Sequence, residues 1–238
     1  EMHTEREIRC QRGDVRGAWL ASRSAPTAKL GDMTTNMSGA PMWDQRYSTT
    51  DYVFGREPAA FLTRHADLLE PGAETLVVAD GEGRNSVYLA ERGLHVTAMD
   101  ISEVGVDKAR RLATERGVTV DFRVADVMAW EWAPASYDLV VALFIQFLNP
   151  RPGAAVFAGM QRTLRPGGRL LLHGYRPEQI GYTSGGPKDP AHLYDEPLLA
   201  EAFAGMDIQV LHSYDPTIAE GTGHTGMAAL IDLVATSS

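Results

Sequence analysis

The chain has 238 residues, of which 44% are hydrophobic and 22% charged, and its formal net charge is −9. This composition is typical of a globular protein with one substantial core. The acidic balance disfavours a nucleic-acid partner, which usually meets a basic face. The longest uninterrupted apolar run, Leu139–Ile145, is too short to span a bilayer. We therefore expect a small-molecule substrate, and neither a nucleic-acid nor a membrane partner; the oligomeric state is left open.

The N-terminal region differs from the rest of the chain. Residues 1–40 carry scattered arginines and few large apolar side chains, which predicts a weakly structured extension before one domain over residues 41–238. This region has no apolar segment of the kind that marks a secretory signal. Cys10 is the single cysteine, so no intrachain disulfide can form. These features predict a cytoplasmic protein. The histidines are far apart in sequence, and no metal site is predicted.

From residue 57 onward, short apolar strands alternate with amphipathic helices. This alternation predicts βαβ units and a parallel sheet in an α/β fold. The last two strands are joined by a Gly-rich link at residues 221–224, which favours an antiparallel pair and hence an antiparallel edge. The predicted helices are Glu57–Leu69, Asn85–Arg92, Glu103–Arg116, Gly153–Leu164 and Pro197–Phe203, and the predicted strands are Thr75–Ala79, Leu94–Met99, Thr119–Val124, Tyr137–Phe144, Arg169–His173, Asp207–Tyr214 and Met227–Ala235.

The first strand runs into a turn that contains Gly81 and Gly83. Glycine lets the backbone approach a ligand closely at the crevice where such sheets bind ligands. Asp100 follows at the tip of the second strand, nineteen positions after Gly81. An acid at this place accepts hydrogen bonds from ribose hydroxyls. The combination predicts an adenosine-type ligand.

The composition of this turn bears on which adenosine ligand it binds. A dinucleotide fingerprint needs a third glycine, and Ser86 or Arg84 stands there, depending on where the pattern starts. The acids Asp80 and Glu82 would repel a pyrophosphate and suit a cationic ligand such as a sulfonium. Two alternatives remain open: an NAD(P)-dependent oxidoreductase with the same fold, and a non-catalytic protein that binds an adenosyl ligand.

Five segments resemble, in the same order, the motifs of class I S-adenosylmethionine-dependent methyltransferases. The resemblance implies a doubly wound, Rossmann-like, mostly parallel sheet of seven strands in the order 3-2-1-4-5-7-6 with one antiparallel strand. It also implies S-adenosylmethionine as the cofactor and an enzyme that transfers its methyl group to an acceptor. The segments are Leu76–Ser86, Val96–Ser102, Phe122–Val127, Tyr137–Val141 and Leu164–Leu172.

The same resemblance implies which residues bind the cofactor. Asp126 lies in the stretch whose acid contacts the adenine amino group in that family. Two positions depart from the family pattern, because Val77 stands where an acid is common and Ala79 where a glycine is common. The predicted contacts in these motifs are Ala79, Asp80, Gly81, Gly83, Asn85, Asp100, Ile101, Asp126 and Val127.

An aromatic segment precedes the first strand. Trp43–Tyr47 and Tyr52–Pro58 resemble the entry segment of the tellurite-resistance and thiol methyltransferase group. Aromatic faces attract cations, so Trp43, Tyr47 and Tyr52 are predicted to contact the cofactor. The resemblance favours a thiol or chalcogen compound as the acceptor. Gln146 departs from that group, in which a histidine is common after the fourth strand.

Two residues are candidates for a catalytic role. His173 lies at the carboxyl end of the fifth strand and is the first candidate to remove a proton from the acceptor. Gln146 follows the fourth strand and is the second. His224 lies in a Gly-rich turn and is expected to be exposed to solvent. The Gly181–Asp189 loop fits either a lid over the acceptor or an idle connection.

Overall fold

The computed structural model describes residues 39–147 and 150–238. The predicted N-terminal extension therefore lies outside the described residues, except for its last two positions. The helices are α1 (Ala40–Tyr47), α2 (Ala60–Arg64), α3 (Arg84–Glu91), α4 (Glu103–Arg116), α5 (Pro150–Thr163) and α6 (Glu196–Ala202). The strands are β1 (Glu74–Val78), β2 (His95–Asp100), β3 (Asp121–Val124), β4 (Tyr137–Leu143), β5 (Leu164–Tyr175), β6 (Met206–Tyr214), β7 (Thr217–Glu220), β8 (His224–Met227) and β9 (Leu230–Ser237).

Seven of these strands form one sheet in the order β3-β2-β1-β4-β5-β9-β6. The pairs from β3 to β5 are parallel, whereas β9 runs antiparallel to both β5 and β6. When only the strands of this sheet are counted, the order is 3-2-1-4-5-7-6, so the predicted fold class is confirmed. The antiparallel strand lies next to the edge strand β6 rather than at the edge itself.

Several predicted elements differ from the structure in their bounds, and two differ in kind. The predicted helix Glu57–Leu69 is instead the short helix α2 followed by a 3-10 turn at Ala66–Leu68. The Gly-rich link before the last strand is part of a separate hairpin, in which β7 and β8 pair in antiparallel fashion. Each strand of this hairpin has only four residues, too few for a clear alternation of apolar and polar positions, so the sequence pattern does not indicate them.

The sheet is covered on both faces, as a doubly wound fold requires. Alternate residues of the central strands point to opposite faces. On one face, Val140 and Leu172 belong to a buried cluster with residues of α5 and α6. On the other face, Val141 and Leu171 pack in a cluster with Phe61 of α2 and with residues of α3. Because helices occupy both faces, the carboxyl ends of the parallel strands are the natural place for a ligand.

Candidate cofactor and acceptor site

The turn after β1 has the conformation of a ligand-binding loop. Ala79 has a φ of 51°, a left-handed conformation that is uncommon for a residue other than glycine. Gly81 also has a positive φ, of 64°. The Asp80 carboxylate accepts a hydrogen bond from the Ser86 amide at 3.3 Å and another from the Ser86 hydroxyl. Asp80 thus stabilises the start of α3, and its predicted contact with the cofactor stays a prediction.

Asp100 lies beside this turn, as the sequence predicts. Its carboxylate is buried and accepts one hydrogen bond from the Gly81 amide and one from the Ser102 amide, each at 2.8 Å. Burial raises the pKa of Asp100, while the two amides oppose this effect. Each carboxylate oxygen has more than one lone pair, so Asp100 retains the capacity to accept further hydrogen bonds.

Tyr47 of α1 covers the same turn. Its ring is buried, and a Cβ atom at Gly81 would lie 2.7 Å from the Tyr47 hydroxyl oxygen. Burial raises the pKa of Tyr47 well above its ordinary value, and the negative charge of Asp100 adds to this effect. Trp43 stacks on Tyr47 with ring centres 5.5 Å apart. Two of the three predicted aromatic contacts are therefore grouped at the turn and close to Asp100.

A buried ion pair attaches the entry segment to this site. Glu82 Oε1 lies 2.5 Å from Lys108 Nζ, and both side chains are almost fully buried. Glu82 Oε2 also accepts a hydrogen bond from the Val53 amide at 2.8 Å. The sequence analysis assigns Glu82 to an acidic loop that suits a cationic ligand. That interpretation is wrong for Glu82, because Lys108 neutralises its charge inside the protein.

Three predicted cofactor contacts have structural roles elsewhere. The Tyr52 hydroxyl donates to the backbone oxygen of Lys108 at 3.0 Å, and Asn85 Oδ1 accepts a hydrogen bond from the Ala59 amide at 3.0 Å. A Cβ atom at Gly83 would lie 2.5 Å from the Cβ of Ala109, so glycine is required for the contact between α3 and α4. The contacts of these residues with a cofactor stay predictions.

The end of β3 is close to the end of β2. The Ala125 amide donates to the backbone oxygen of Asp100 at 2.8 Å. The next residue, Asp126, is exposed, and its carboxylate accepts a hydrogen bond from the Met128 amide at 2.9 Å. Val127 is buried in the core, whereas Ile101 is partly buried. This arrangement agrees with a role of Asp126 at the rim of the site, which stays a prediction.

His173, the first candidate base, belongs to a buried polar cluster. Its Nδ1 lies 2.6 Å from Asp232 Oδ1, and its ring stacks on Phe61 with centres 5.0 Å apart. Asp232 also accepts a hydrogen bond from Arg64 at 2.9 Å. Burial alone would raise the pKa of Asp232, but the contacts with His173 and Arg64 outweigh this effect and lower it. These contacts are sufficient to explain a structural role of His173. Its catalytic role stays a prediction.

Gln146, the second candidate, connects two segments of backbone. Its Oε1 accepts a hydrogen bond from the Tyr175 amide, and its Nε2 donates to the backbone oxygens of Tyr175 at 2.7 Å and of His192 at 3.2 Å. Both polar atoms of the side chain are therefore engaged with backbone groups. Its predicted catalytic role gains no support from these contacts.

His224 is buried, so the expectation that it is exposed is wrong. It is the first residue of β8, and its ring lies 4.4 Å from that of Phe54 and 4.5 Å from that of Phe144, measured between centres. Phe54 in turn contacts Tyr47, with ring centres 6.3 Å apart. A continuous row of rings thus leads from the turn after β1 to His224. Sequence reasoning missed this because it did not detect the β7–β8 hairpin that carries His224.

The buried carboxylate of Asp80 leads to a prediction about pH. Burial raises its pKa from the ordinary value of 3.8 to about 6, despite the hydrogen bonds from Ser86. The folded protein therefore holds this proton more tightly than the unfolded chain does, so Asp80 contributes most to stability at low pH. As the pH rises from about 4 to about 7, the wild type should lose roughly 2–3 kcal/mol of unfolding free energy relative to Asp80→Asn. Denaturant unfolding of both proteins at a series of pH values measures this difference, and a constant difference would contradict the prediction.

Comparison with known proteins agrees with this geometry. Residues 76–168 match a family model described as a methyltransferase domain. The chain is 36% identical over 113 residues to a ubiquinone biosynthesis O-methyltransferase of Idiomarina loihiensis, covering 47% of this chain and 46% of that protein. It is 36% identical over 104 residues to the protein of the same name from Xylella fastidiosa, covering 42% and 41%. The chain thus spans about half the length of the curated relatives it matches.

Solved structures have the same fold. One comes from a study of the conversion of a disulfide bond into a thioacetal group during echinomycin biosynthesis, with a TM-score of 0.70, 18% identity, and coverage of 84% of this chain and 91% of that chain. Another is TehB from Haemophilus influenzae, with a TM-score of 0.62, 18% identity, and coverage of 82% and 66%. At such identities the likeness concerns the fold alone.

The match of residues 76–168 to a methyltransferase-domain model, together with the strand order of the sheet, agrees with the predicted resemblance to class I S-adenosylmethionine-dependent methyltransferases. The domain match argues against the NAD(P)-dependent oxidoreductase. The resemblance to the thiol methyltransferase group rests on the entry segment. Within the described residues, no helix is both long enough and apolar enough to cross a membrane.

Proposed function

We propose that this chain transfers a methyl group from S-adenosylmethionine to a small-molecule acceptor. The observation that carries the proposal is the position of the buried Asp100 carboxylate next to Gly81, under the ring of Tyr47. A carboxylate with spare lone pairs suits the two hydroxyls of a ribose. The missing Cβ atom of Gly81 makes room for the Tyr47 hydroxyl, and an aromatic ring suits a sulfonium.

The chemistry that the cofactor supplies when bound is an activated methyl group on a positively charged sulfur. The residues of this chain then bind, orient and exclude water. Asp100 and the turn at Gly81 would hold the adenosyl part. Tyr47 and Trp43, attached to the domain through α1, would cover it. Alignment of two reactants at attack distance can contribute roughly 7–11 kcal/mol to catalysis, so orienting the ligands is a large part of what the protein would contribute to this reaction.

The acceptor class is the finer part of the proposal. The matched relatives are named O-methyltransferases, which supports a hydroxyl acceptor. The entry segment around Trp43 and Tyr47 favours a thiol or chalcogen compound instead. A thiol ionises near neutral pH and needs little help from a base, whereas a hydroxyl requires proton removal. The two classes therefore differ in whether a protein base is needed.

An activity screen tests the proposal. The purified chain is incubated with S-adenosylmethionine and one of several thiols, selenite, tellurite, phenols or amines, and the release of S-adenosylhomocysteine is measured against pH. We expect turnover with at least one small molecule. A thiol acceptor should give rates that follow its own ionised fraction, and a hydroxyl acceptor should give rates that follow a group on the protein. If S-adenosylhomocysteine binds but no small molecule is methylated, the non-catalytic alternative is supported instead.

A further inference from the structure

A cluster of buried polar atoms lies between the β7–β8 hairpin and the end of β5. The Tyr175 hydroxyl and His224 Nδ1 are both buried, and neither has a hydrogen-bond partner among the described residues. The two rings are close, with centres 5.7 Å apart. Buried polar groups nearly always have a partner, and each exception requires an explanation. His224 Nδ1 lies beside the Glu220 carboxylate, so the Tyr175 hydroxyl is the atom whose missing partner a ligand would supply.

The walls of this cluster are aromatic. Phe54 and Phe144 flank the His224 ring, and Phe144 also contacts the Tyr175 ring at 5.0 Å between centres. Phe144 follows β4 directly and has a φ of 57°. This left-handed conformation is strained for an aromatic residue, and such strain tends to occur at functional sites. Apolar walls with a few polar groups are typical of small-molecule sites, and these walls suit a flat ring.

A carboxylate lies beside His224. Glu220 Oε2 is 3.9 Å from His224 Nδ1 and 2.8 Å from Arg84 Nη2, and its other oxygen accepts a hydrogen bond from the Ala60 amide at 3.0 Å. Burial alone would raise the pKa of Glu220, but the contacts with His224 and Arg84 outweigh this effect and lower it to about 2. The carboxylate is therefore charged and held in place. A carboxylate beside one ring nitrogen orients an imidazole and stabilises its protonated form.

The imidazole itself is suited to accept a proton. Burial lowers the pKa of His224, the charges of Arg84 and Arg46 lower it further, and Glu220 opposes them. The ring is therefore neutral at neutral pH. Burial and the charge of Glu220 raise the pKa of Tyr175, so its hydroxyl stays protonated and can donate a hydrogen bond. One group that can accept a proton and one that can donate a hydrogen bond thus lie in the same cluster, with ring centres 5.7 Å apart.

The Gly181–Asp189 loop lies against Tyr175 and His224. Cβ atoms at Gly185 and Gly186 would lie 3.4 Å from the Tyr175 hydroxyl and 2.9 Å from its ring, respectively. The buried side chain of Gln179 holds the loop by donating to Ser184 Oγ and to the backbone oxygen of Gly185, each at 3.0 Å. The two glycines therefore permit a close cover over Tyr175. This position supports the lid interpretation of the loop.

A cation lies towards the cofactor side of the cluster. The Arg46 guanidinium is 5.1 Å from the centre of the Phe54 ring and 5.5 Å from that of Trp43. Arg46 is exposed and forms no ion pair with an acid in the described part of the chain. It is thus available to pair with an acidic group of a ligand that enters beside Phe54.

We propose that Tyr175 and His224 form the acceptor pocket, with His224 as the general base, and that the acceptor is a phenol that carries an acidic substituent. The inference rests on the proposed function. The phenolic O–H bond breaks as its proton passes to His224 Nε2, and the oxygen forms a bond to the methyl carbon. The bond between that carbon and sulfur breaks, and its electron pair stays on sulfur, which yields a methyl ether and S-adenosylhomocysteine. The proton on His224 then leaves to solvent.

Binding and turnover of 3,4-dihydroxybenzoate by the full chain test the inference. We expect the protein loaded with S-adenosylhomocysteine to bind this probe, and Tyr175→Phe to weaken that binding about tenfold without a lower melting temperature, since the hydroxyl has no partner to lose. We expect His224→Gln to lower kcat for its methylation at least about 100-fold. His95→Gln is the matched control, because His95 is exposed at the amino end of β2.

The pH profile separates a base from a structural residue. Wild-type kcat should fall as the pH drops through the pKa of His224, and this fall should be absent in His224→Gln. Calorimetry with S-adenosylhomocysteine should give equal affinities for the wild type and both variants. Absence of probe binding to the loaded wild type, or a less than threefold change of kcat in His224→Gln, would overturn the inference while the proposed function stands. Failure of S-adenosylhomocysteine to bind the wild type would contradict the proposed function itself.

Discussion

Replacing Lys108 by methionine is expected to lower the free energy of unfolding by about 3–5 kcal/mol, because it leaves a buried charge without its partner. Lys108 Nζ lies 2.5 Å from Glu82 Oε1, and the two side chains are 5% and 2% exposed. The same ammonium group donates to the backbone oxygens of Tyr47, Thr49 and Asp51, at 3.2, 3.1 and 2.7 Å. The substitution therefore also removes the contacts that hold the entry segment on α4.

The matched control is Lys188→Met, since Lys188 is exposed in the loop before α6. Denaturant unfolding of both variants measures the effect, and we expect the control to stay within about 0.5 kcal/mol of the wild type. The Lys108 variant should also bind S-adenosylhomocysteine more weakly, because Tyr47 loses its support over Gly81. Wild-type stability in Lys108→Met would show that the ion pair does not hold the entry segment.

Replacing Asp100 by alanine is expected to weaken the binding of S-adenosylhomocysteine about 10- to 100-fold. Hydrogen bonds to a charged group contribute about 1.5–3 kcal/mol, and the carboxylate is proposed to accept from the ribose. Because Asp100 also accepts from the amides of Gly81 and Ser102, Asp100→Asn is the companion variant: it keeps the shape and an acceptor oxygen but removes the charge. Titration calorimetry measures the dissociation constants.

Asp121→Asn is the control for this series. Asp121 is exposed at the amino end of β3, whereas Asp100 lies at the carboxyl end of β2. Circular dichroism should show that the Asp100 variants are folded. An unchanged dissociation constant in a folded Asp100→Ala would contradict the assignment of this carboxylate to the cofactor. Weaker binding of S-adenosylhomocysteine in Asp100→Ala but not in Asp100→Asn would mean that Asp100 acts through the shape of the turn and not through its charge.

The fold could be predicted well from the sequence because its signals are local. Each βαβ unit has a strand, a turn with glycine and an amphipathic helix within a short stretch, and α4 has the bounds predicted, from Glu103 to Arg116. The β7–β8 hairpin was not predictable in this way. Its strands are very short, and only their pairing with each other and their contacts with rings from other elements define them.

The candidate site also combines features that a local motif predicts with contacts between distant parts of the chain. The proximity of Asp100 to Gly81 follows from the motif, since neighbouring parallel strands end at the same edge of the sheet. The pairing of Glu82 with Lys108 and of Glu220 with Arg84 joins distant parts of the chain, and no local pattern indicates such partners. The sequence therefore predicted an acidic loop where the structure has a neutralised pair. It also favoured His173 as the base. The rings of His173 and His224 both contact Phe144, at 4.7 and 4.5 Å between centres, and the sequence did not indicate that His224 is near these rings.

Titration calorimetry of the full chain with S-adenosylhomocysteine and with NAD tests the central claim most directly. The turn at Gly81 lacks the third glycine of a dinucleotide fingerprint, and it lies beside Asp100 under an aromatic cover. We expect S-adenosylhomocysteine to bind with a dissociation constant on the order of micromolar, which corresponds to about 8 kcal/mol, and NAD to give no measurable heat. Tight binding of NAD without binding of S-adenosylhomocysteine would contradict the account.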